Sequence, residues 1–408
     1  MTSQTAQRCV IVGGSLAGLR AAEAVRRSGF TGEILVFGAE PHMPYNRPPL
    51  SKGALEDDPY LDTLTFRLSR AATDVSWRIG TTVRSVDLQQ RSLTLADGTS
   101  VGWDGLVIAT GARPRRLDLP GPTVGRHVVR TAEDAIQLRQ QVYPGARVVV
   151  LGAGFIGCEV AATCSVLGAD VQVVAPEAAP MHNPLGHLLG QELWRRHHRH
   201  GVQFHLGVFP TAFSGPGRVR KVELSDGTKL AANVVVEAVG TTPNTDPFGG
   251  NGLDMSDGVL CDGQMNVEGH PAVVACGDVA RFPNPLFDLI PRRVEHWNMA
   301  VDTARRAGRT LGAYLTGTAN DPAPFRPLPS FWSDQYDWRI QSFGLPALGA
   351  KDIRLLEGDL ANEAALGYHR DGALVGVVML DLTARHAHYR SLVAAATEQQ
   401  EQGPSLHA

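Results

Sequence analysis

The chain has 408 residues, 43% of them hydrophobic and 19% charged, which suits two or three globular domains and excludes a disordered or collagen-like polymer. Its 38 Lys and Arg against 41 Asp and Glu leave a net charge of −3, so no overall basic excess draws it to nucleic acid. The five cysteines, Cys9, Cys158, Cys164, Cys261 and Cys276, form neither a CxxC pair nor a zinc spacing, which argues against a secreted disulfide scaffold and a metal centre. The opening MTSQTAQRCVIVGG has no basic start followed by an apolar run, and the apolar stretches are too short to span a bilayer. A cytoplasmic protein with no membrane partner is expected.

The first predicted strand, CVIV (9–12), leads into Gly13-Gly14-Ser15-Leu16-Ala17-Gly18, a helical pattern (19–29) and a strand EILVF (33–37) ending at Gly38-Ala39-Glu40. Alternating strands come next, with a hairpin signal at Asp97-Gly98 and a strand LVIATG (106–111). A second copy then begins: RVVVL (147–151), Gly152-Ala153-Gly154-Phe155-Ile156-Gly157, helix CEVAATCSVLG (158–168) and strand VQVVA (171–175). Another hairpin signal at Asp226-Gly227 precedes VVVEAVG (234–240). PAVVACGDVA (271–280) predicts one more strand, leading into a helix near 297–313. The proline-rich 320–330 reads as a linker, succeeded by strand-like runs, a helix near 386–398 and a frayed tail, EQQEQGPSLHA.

A pyrophosphate needs backbone N–H groups at close range, and glycines let the chain turn sharply and approach it at a helix N-terminus. Gly152, Gly154 and Gly157 fill all three fingerprint positions of the second copy; in the first, Gly13 and Gly18 flank Ser15 at the middle position. Two copies in a βαβ frame predict two bound dinucleotides, a flavin adenine dinucleotide and a nicotinamide, and hence hydride chemistry. The acid after the second strand hydrogen-bonds the adenosine ribose in this motif. Glu40 fills that place in the first copy; in the second, Ala175 stands there and the nearest acid is Glu177, with no neighbouring Arg or Lys for a 2′-phosphate. NADH is therefore expected in preference to NADPH.

The segments PYNRPPLSKGAL (44–55), ATGARPR (109–115), RTAEDA (130–135), GAGFIGCE (152–159), CGDVARFPNPLFD (276–288), RVEHW (293–297) and FWSDQYDWRIQSFG (331–344) together resemble the oxygenase-coupled, putidaredoxin reductase-like ferredoxin reductases of the pyridine nucleotide-disulfide oxidoreductase superfamily. The resemblance implies an α/β fold of glutathione reductase type: two Rossmann-like dinucleotide-binding domains plus a C-terminal α+β domain. The expected segments are 1–116 and 244–322 for the FAD domain, 117–243 for the NAD domain and 323–408 for the C-terminal domain. It implies FAD contacts from Gly13, Ser15, Ala17, Gly18, Glu40, Arg47, Pro48, Lys52, Val83, Ala109, Thr110, Gly111, Arg130, Gly277, Asp278, Glu295, His296, Trp297 and Trp332. For NAD it implies Gly152, Gly154, Phe155, Ile156, Gly157, Glu159, Glu177 and Gly240. Lys52 and Glu159 are the residues it places in the catalytic role. Met299 departs from the family, which has an amide at that position.

Hydride transfer needs no nucleophile or base triad, because the cofactor carries the chemistry. The region where thiol-based relatives keep their reactive cysteine reads PPLSKGAL here, and no cysteine lies between 10 and 157. Cys158 and Cys164 read as packing residues, and His197, His198 and His200, within RRHHRHG, as an exposed basic helix end rather than a metal site. The resemblance implies an NAD(P)H:ferredoxin oxidoreductase that passes electrons to a [2Fe–2S] ferredoxin serving a cytochrome P450 or a dioxygenase. Arg292, Arg293, Arg305, Arg306 and Arg309 are the expected docking cations for that acidic partner. A rubredoxin reductase and an NADH-sensing flavoprotein similar to apoptosis-inducing factor remain open alternatives.

Overall fold

Strand β1 (Arg8–Val12), helix α1 (Leu16–Arg27) and strand β2 (Glu33–Phe37) open the chain in a computed structural model that describes residues 7–56 and 61–401. The principal elements continue with β3 (Gly105–Ile108), β4 (Arg147–Leu151), α2 (Phe155–Val166), β5 (Asp170–Ala175), α3 (His182–Arg199), β6 (Gln203–Leu206) and β7 (Val234–Glu237). Then come β8 (His270–Ala275), α4 (Trp297–Thr316), β9 (Ser330–Gln335), β10 (Trp338–Gly344), β11 (Ile353–Gly358), β12 (Ala364–Arg370), β13 (Ala373–Leu380) and α5 (His386–Glu401). They sort into two compact units, the first being Met1–Asn46, Thr65–Arg113 and Thr242–Pro329, the second Arg47–Leu64, Pro114–Thr241 and Ser330–Ala408.

The first unit is built on a six-stranded sheet in the order Asn266–Val267, β8, β3, β1, β2, Ser76–Arg78. All its pairings are parallel except that between Asn266–Val267 and β8. Parallel strands covered on both faces read as unbroken apolar runs, and Val10, Ile11, Leu106, Val107, Ile108 and Val274 are fully buried. Helix α1 packs against α4 within this unit. LVIATG splits physically: pairing stops at Ile108, and Ala109–Gly111 continue beyond the strand end.

The second unit holds the repeat, a five-stranded parallel sheet ordered β6, β5, β4, β7, Arg126–His127, in which Val149 lies opposite Gln172 and Val235. Its other layer is an antiparallel sheet, β9-β10-β13-β12-β11, backed by α5. Polar staples tie the unit together. Arg126 donates to both oxygens of the buried Glu237 carboxylate at 2.9 and 3.1 Å, and Tyr368 donates from β12 to the Leu185 carbonyl of α3 at 2.8 Å. Helix α5 runs through Glu401, so the first residues of the expected tail are helical; residues 402–408, like residues 1–6, lie outside the described residues.

Candidate functional site

In the first unit the candidate residues gather at the C-terminal ends of the parallel strands, where open α/β sheets bind their ligands. Gly13 has φ +125°, and a Cβ there would lie 2.0 Å from the Ala109 carbonyl oxygen, so only glycine lets these two strand ends meet. Ser15 caps α1 from an extended conformation, no acid occupies the helix's first turn, and Gly18 touches the Gly13 carbonyl so closely that a Cβ would sit 1.9 Å away. Gly277, past the end of β8, comes against Ala17, and its N–H donates to Thr303. Asp278 is next; its charge acts on His296, the residue that caps α4, but burial dominates and pushes that imidazole down to about 4. Arg293 bridges the Asp278 carbonyl and Glu295, while Trp297 donates to Asn46 at 3.1 Å. Glu40, past β2, accepts from Tyr45 at 2.5 Å. Thr110 donates to the Asn244 carbonyl, beside Gly111, whose carbonyl accepts from the Asn244 N–H. Val83 is buried in the same core, two residues from Thr81, whose N–H donates to Gly38.

The second fingerprint is sharper. Gly152 has φ +104°, where a Cβ would meet the Ala238 carbonyl at 2.3 Å, and one on Gly157 would lie 2.0 Å from the Gly152 carbonyl. Those two glycines pack the turn. Gly154 differs: it caps α2 in an extended conformation, and a Cβ there would meet nothing within 4 Å. That cradle, at a helix start with no acid in its first turn, fits a pyrophosphate. Beyond β5, Glu177 accepts from Asn183 at 3.2 Å, and past β7 Gly240 has φ +95° and open space around it. Ile156 is exposed, and Phe155 packs its ring on Phe331 of β9.

One turn into α2, Glu159 is buried and ion-paired with Lys52, Nζ to Oε2 at 2.7 Å. Pro48 and Pro49 start a short turn that carries Ser51 and Lys52; Ser51 donates to the same carboxylate oxygen at 2.5 Å, and Lys52 also reaches the Pro48 carbonyl at 3.2 Å. The other oxygen of Glu159 accepts from Ser333 of β9 at 2.6 Å. Strand alternation explains this: Phe331, Ser333 and Gln335 share one face, and Trp332 lies on the other. A cavity of about 380 Å³ adjoins the pair, lined by Lys52, Thr163, Gln335 and Tyr336 among others. Arg47 donates to the Arg130 carbonyl at 2.7 Å, so these two candidates also meet. Motif reading misses Ser51, Ser333 and Gln335, although all three stand inside the PPLSK and FWSDQ segments.

Two expectations are corrected. Arg306 is not a surface cation: it is buried and donates to the Asp321 and Ala323 carbonyls at 3.0 and 2.8 Å. Of the other docking candidates, Arg293 is nearly covered and paired with Asp257 and Glu295, Arg292 is paired with Asp288, and Arg305 and Arg309 are exposed one turn apart on α4. His197 is not at an exposed helix end either. It continues the buried stripe Leu185, Leu189, Leu193 at i+4 spacing and hydrogen-bonds Gln335 at 2.7 Å; burial pushes its imidazole down to about 4. All five cysteines are free and buried, and burial raises each thiol, so none is poised as a thiolate. Among the described residues no cluster of His, Cys, Asp or Glu suits a metal ion, and no helix is long and apolar enough to cross a membrane.

Two βαβ units with glycine turns at their helix starts, the second carrying the buried Glu159 paired with Lys52, are the framework of an oxidoreductase that works with two dinucleotides. Residues 7–304 match the pyridine nucleotide-disulphide oxidoreductase family, and 330–403 match the reductase C-terminal family. The chain belongs to the pyridine nucleotide-disulphide oxidoreductase family and uses FAD and NAD(P)H. It is 36% identical to rhodocoxin reductase of Rhodococcus erythropolis over 356 residues, covering 86% of this chain and 81% of that one. The ferredoxin reductase for the CYP199A2 system from Rhodopseudomonas palustris superposes with a TM-score of 0.88 at 33% identity over 96% of both chains. Putidaredoxin reductase, solved as a covalent complex with putidaredoxin, gives a TM-score of 0.86 at 29% identity, covering 96% of this chain and 93% of that one. The expected α/β architecture and ferredoxin reductase resemblance are borne out.

Proposed function

We propose that this protein is a cytoplasmic FAD-dependent NADH:ferredoxin reductase that supplies single electrons to a [2Fe–2S] ferredoxin serving a cytochrome P450 or another oxygenase. The observation that carries this reading is the ion pair between the half-buried Lys52, on the segment where thiol-based members would need a reactive cysteine, and the buried Glu159, on the helix that opens at the Gly154 cradle. The chemistry that bound FAD would supply is acceptance of hydride from NADH and release of the electrons one at a time. Gly13, Ser15, Gly18, Glu40, Gly277 and Asp278 hold FAD in the first unit. Gly152, Gly154, Gly157 and Glu177 hold the NADH pyrophosphate and adenosine ribose in the second. Arg47, Pro48, Arg130 and Trp332 are assigned to FAD on the resemblance. Lys52 brings a positive charge to the hydride step, and Glu159 offsets the cost of desolvating it. Arg305 and Arg309 offer the acidic ferredoxin a basic face. The four-segment division into FAD, NAD and C-terminal domains belongs to the same reading. Five unpaired buried thiols support a reducing compartment.

The test is cytochrome c reduction by the purified protein with NADH or NADPH, with and without a [2Fe–2S] ferredoxin. Strong stimulation by ferredoxin with NADH as the better donor is expected. Flavin bleaching by NADH with no stimulation across several ferredoxins would overturn the partner assignment.

A further inference from the structure

The Glu159 carboxylate ends a hydrogen-bond chain that runs away from Lys52 through three side chains with no assigned role. Ser333 donates to Glu159 at 2.6 Å, Gln335 Nε2 lies 2.9 Å from Ser333 Oγ, and Gln335 Oε1 lies 2.7 Å from His197 Nε2. All three residues are buried, with exposures of 0%, 1% and 0%. A carboxylate only accepts, so its needs set the direction of every link. Ser333 gives its single proton to Glu159 and must therefore accept from the Gln335 amide. The Gln335 carbonyl then faces His197, which donates from Nε2. Turning the Gln335 amide around would take Ser333's proton and leave two acceptors in contact at Glu159.

We propose that Ser333, Gln335 and His197 are positioning residues that fix the Glu159 carboxylate, and through it the Lys52 ammonium. The chain uses one carboxylate oxygen, leaving the other to Lys52 and Ser51. His197 is locked by edge contacts to Phe204, Tyr336 and Trp338, so it is a rigid anchor for the chain's far end. Burial keeps it neutral at physiological pH, which leaves a tautomer with Nε2 as the donor. This assignment rests on the reading of Lys52 and Glu159 as the charge pair of the hydride step.

The experiment measures the two-electron midpoint potential of the flavin in the purified holoenzyme, together with NAD⁺ affinity, for Glu159→Gln, Ser333→Ala, Gln335→Met and His197→Phe. Ser342→Ala is the control, since it removes a hydroxyl on the neighbouring strand that is buried and has no hydrogen-bond partner among the described residues. Glu159→Gln moves the potential, and the chain variants move it in the same direction by at least about threefold in the reduction equilibrium, about 14 mV, with NAD⁺ affinity held. Ser342→Ala leaves the potential in place. Should Ser333→Ala fail to fold, Gln335→Met and His197→Phe carry the same expectation. Wild-type potentials in the chain variants beside a shifted Glu159→Gln would sink the positioning role and leave the pair's role standing. An unshifted Glu159→Gln would bring down the reading of the pair itself.

Discussion

Replacing Gly154 and Gly157 by alanine, one at a time, separates a glycine that packs the turn from one that makes room for a ligand. At Gly157 the new methyl would sit 2.0 Å from the Gly152 carbonyl, so the helix must move off the strand end. Such overpacking costs about 3 kcal/mol. At Gly154 the backbone has an ordinary φ of −79° and a Cβ meets nothing within 4 Å. Alanine there reduces the freedom of the unfolded chain but is a poorer helix cap, two effects of opposite sign that leave about 1 kcal/mol or less. A domain of this size loses about 2–4 °C in Tm per kcal/mol, so Gly157→Ala melts about 6–12 °C lower and Gly154→Ala within about 4 °C of wild type. Binding reverses the order of interest. On the proposed assignment the Gly154 methyl would fill the place through which the pyrophosphate reaches the α2 amides, and each charge-assisted hydrogen bond lost would weaken NADH by about tenfold or more. Thermal denaturation and NADH titration on both variants give the four numbers. A Gly154→Ala protein that binds NADH as tightly as wild type, or melts as low as Gly157→Ala, would refute the cradle.

Glu159→Leu leaves the half-buried Lys52 ammonium with only the Pro48 carbonyl and the Ser51 hydroxyl among its neighbours in the described residues and costs about 3 kcal/mol, whereas the double variant Lys52→Met/Glu159→Leu recovers most of that loss; equal melting temperatures for the two would contradict the pairing. Reversing Arg305 and Arg309 to Glu raises the KM for an acidic ferredoxin about fivefold or more at low salt, and the gap closes as ionic strength rises. His197→Phe flattens the acid limb of stability. The buried imidazole titrates at about 4 when folded and about 6.5 when unfolded, so between those values the unfolded chain binds more protons. The stability gained by keeping it neutral is complete above about pH 6.5 and is lost as pH falls toward 4. Melting curves from pH 7 to 4.5 should fall less steeply for the variant, with His296 and His127, both lowered by burial, contributing to the slope that remains.

The residues whose chemistry is local are legible in the sequence. Gly152 and Gly157 are demanded by backbone contacts within one βαβ turn, and EILVF and RVVVL begin and end as strands at the predicted residues, because full burial of a parallel strand shows as an unbroken apolar run. Glu159 is reached through resemblance, since nothing in a single carboxylate announces an ion pair 107 positions away in the chain. Ser333 and Gln335 carry a weaker signal: two polar residues alternate on one face of a strand whose sheet buries mostly apolar side chains, a pattern with meaning only once α2 is known to lie against that face. His197 and Arg306 mislead for one reason. Each is a polar residue on a helix face whose other members are buried, Leu189 and Leu193 for one, Met299 and Thr303 for the other, and there periodicity outweighs composition. A charged or titratable side chain that keeps the core's spacing is more informative than a surface one, because its burial must be answered by partners. For Arg306 those partners are backbone carbonyls that tie down the proline-rich segment, a structural end; for His197 they lead link by link to Glu159.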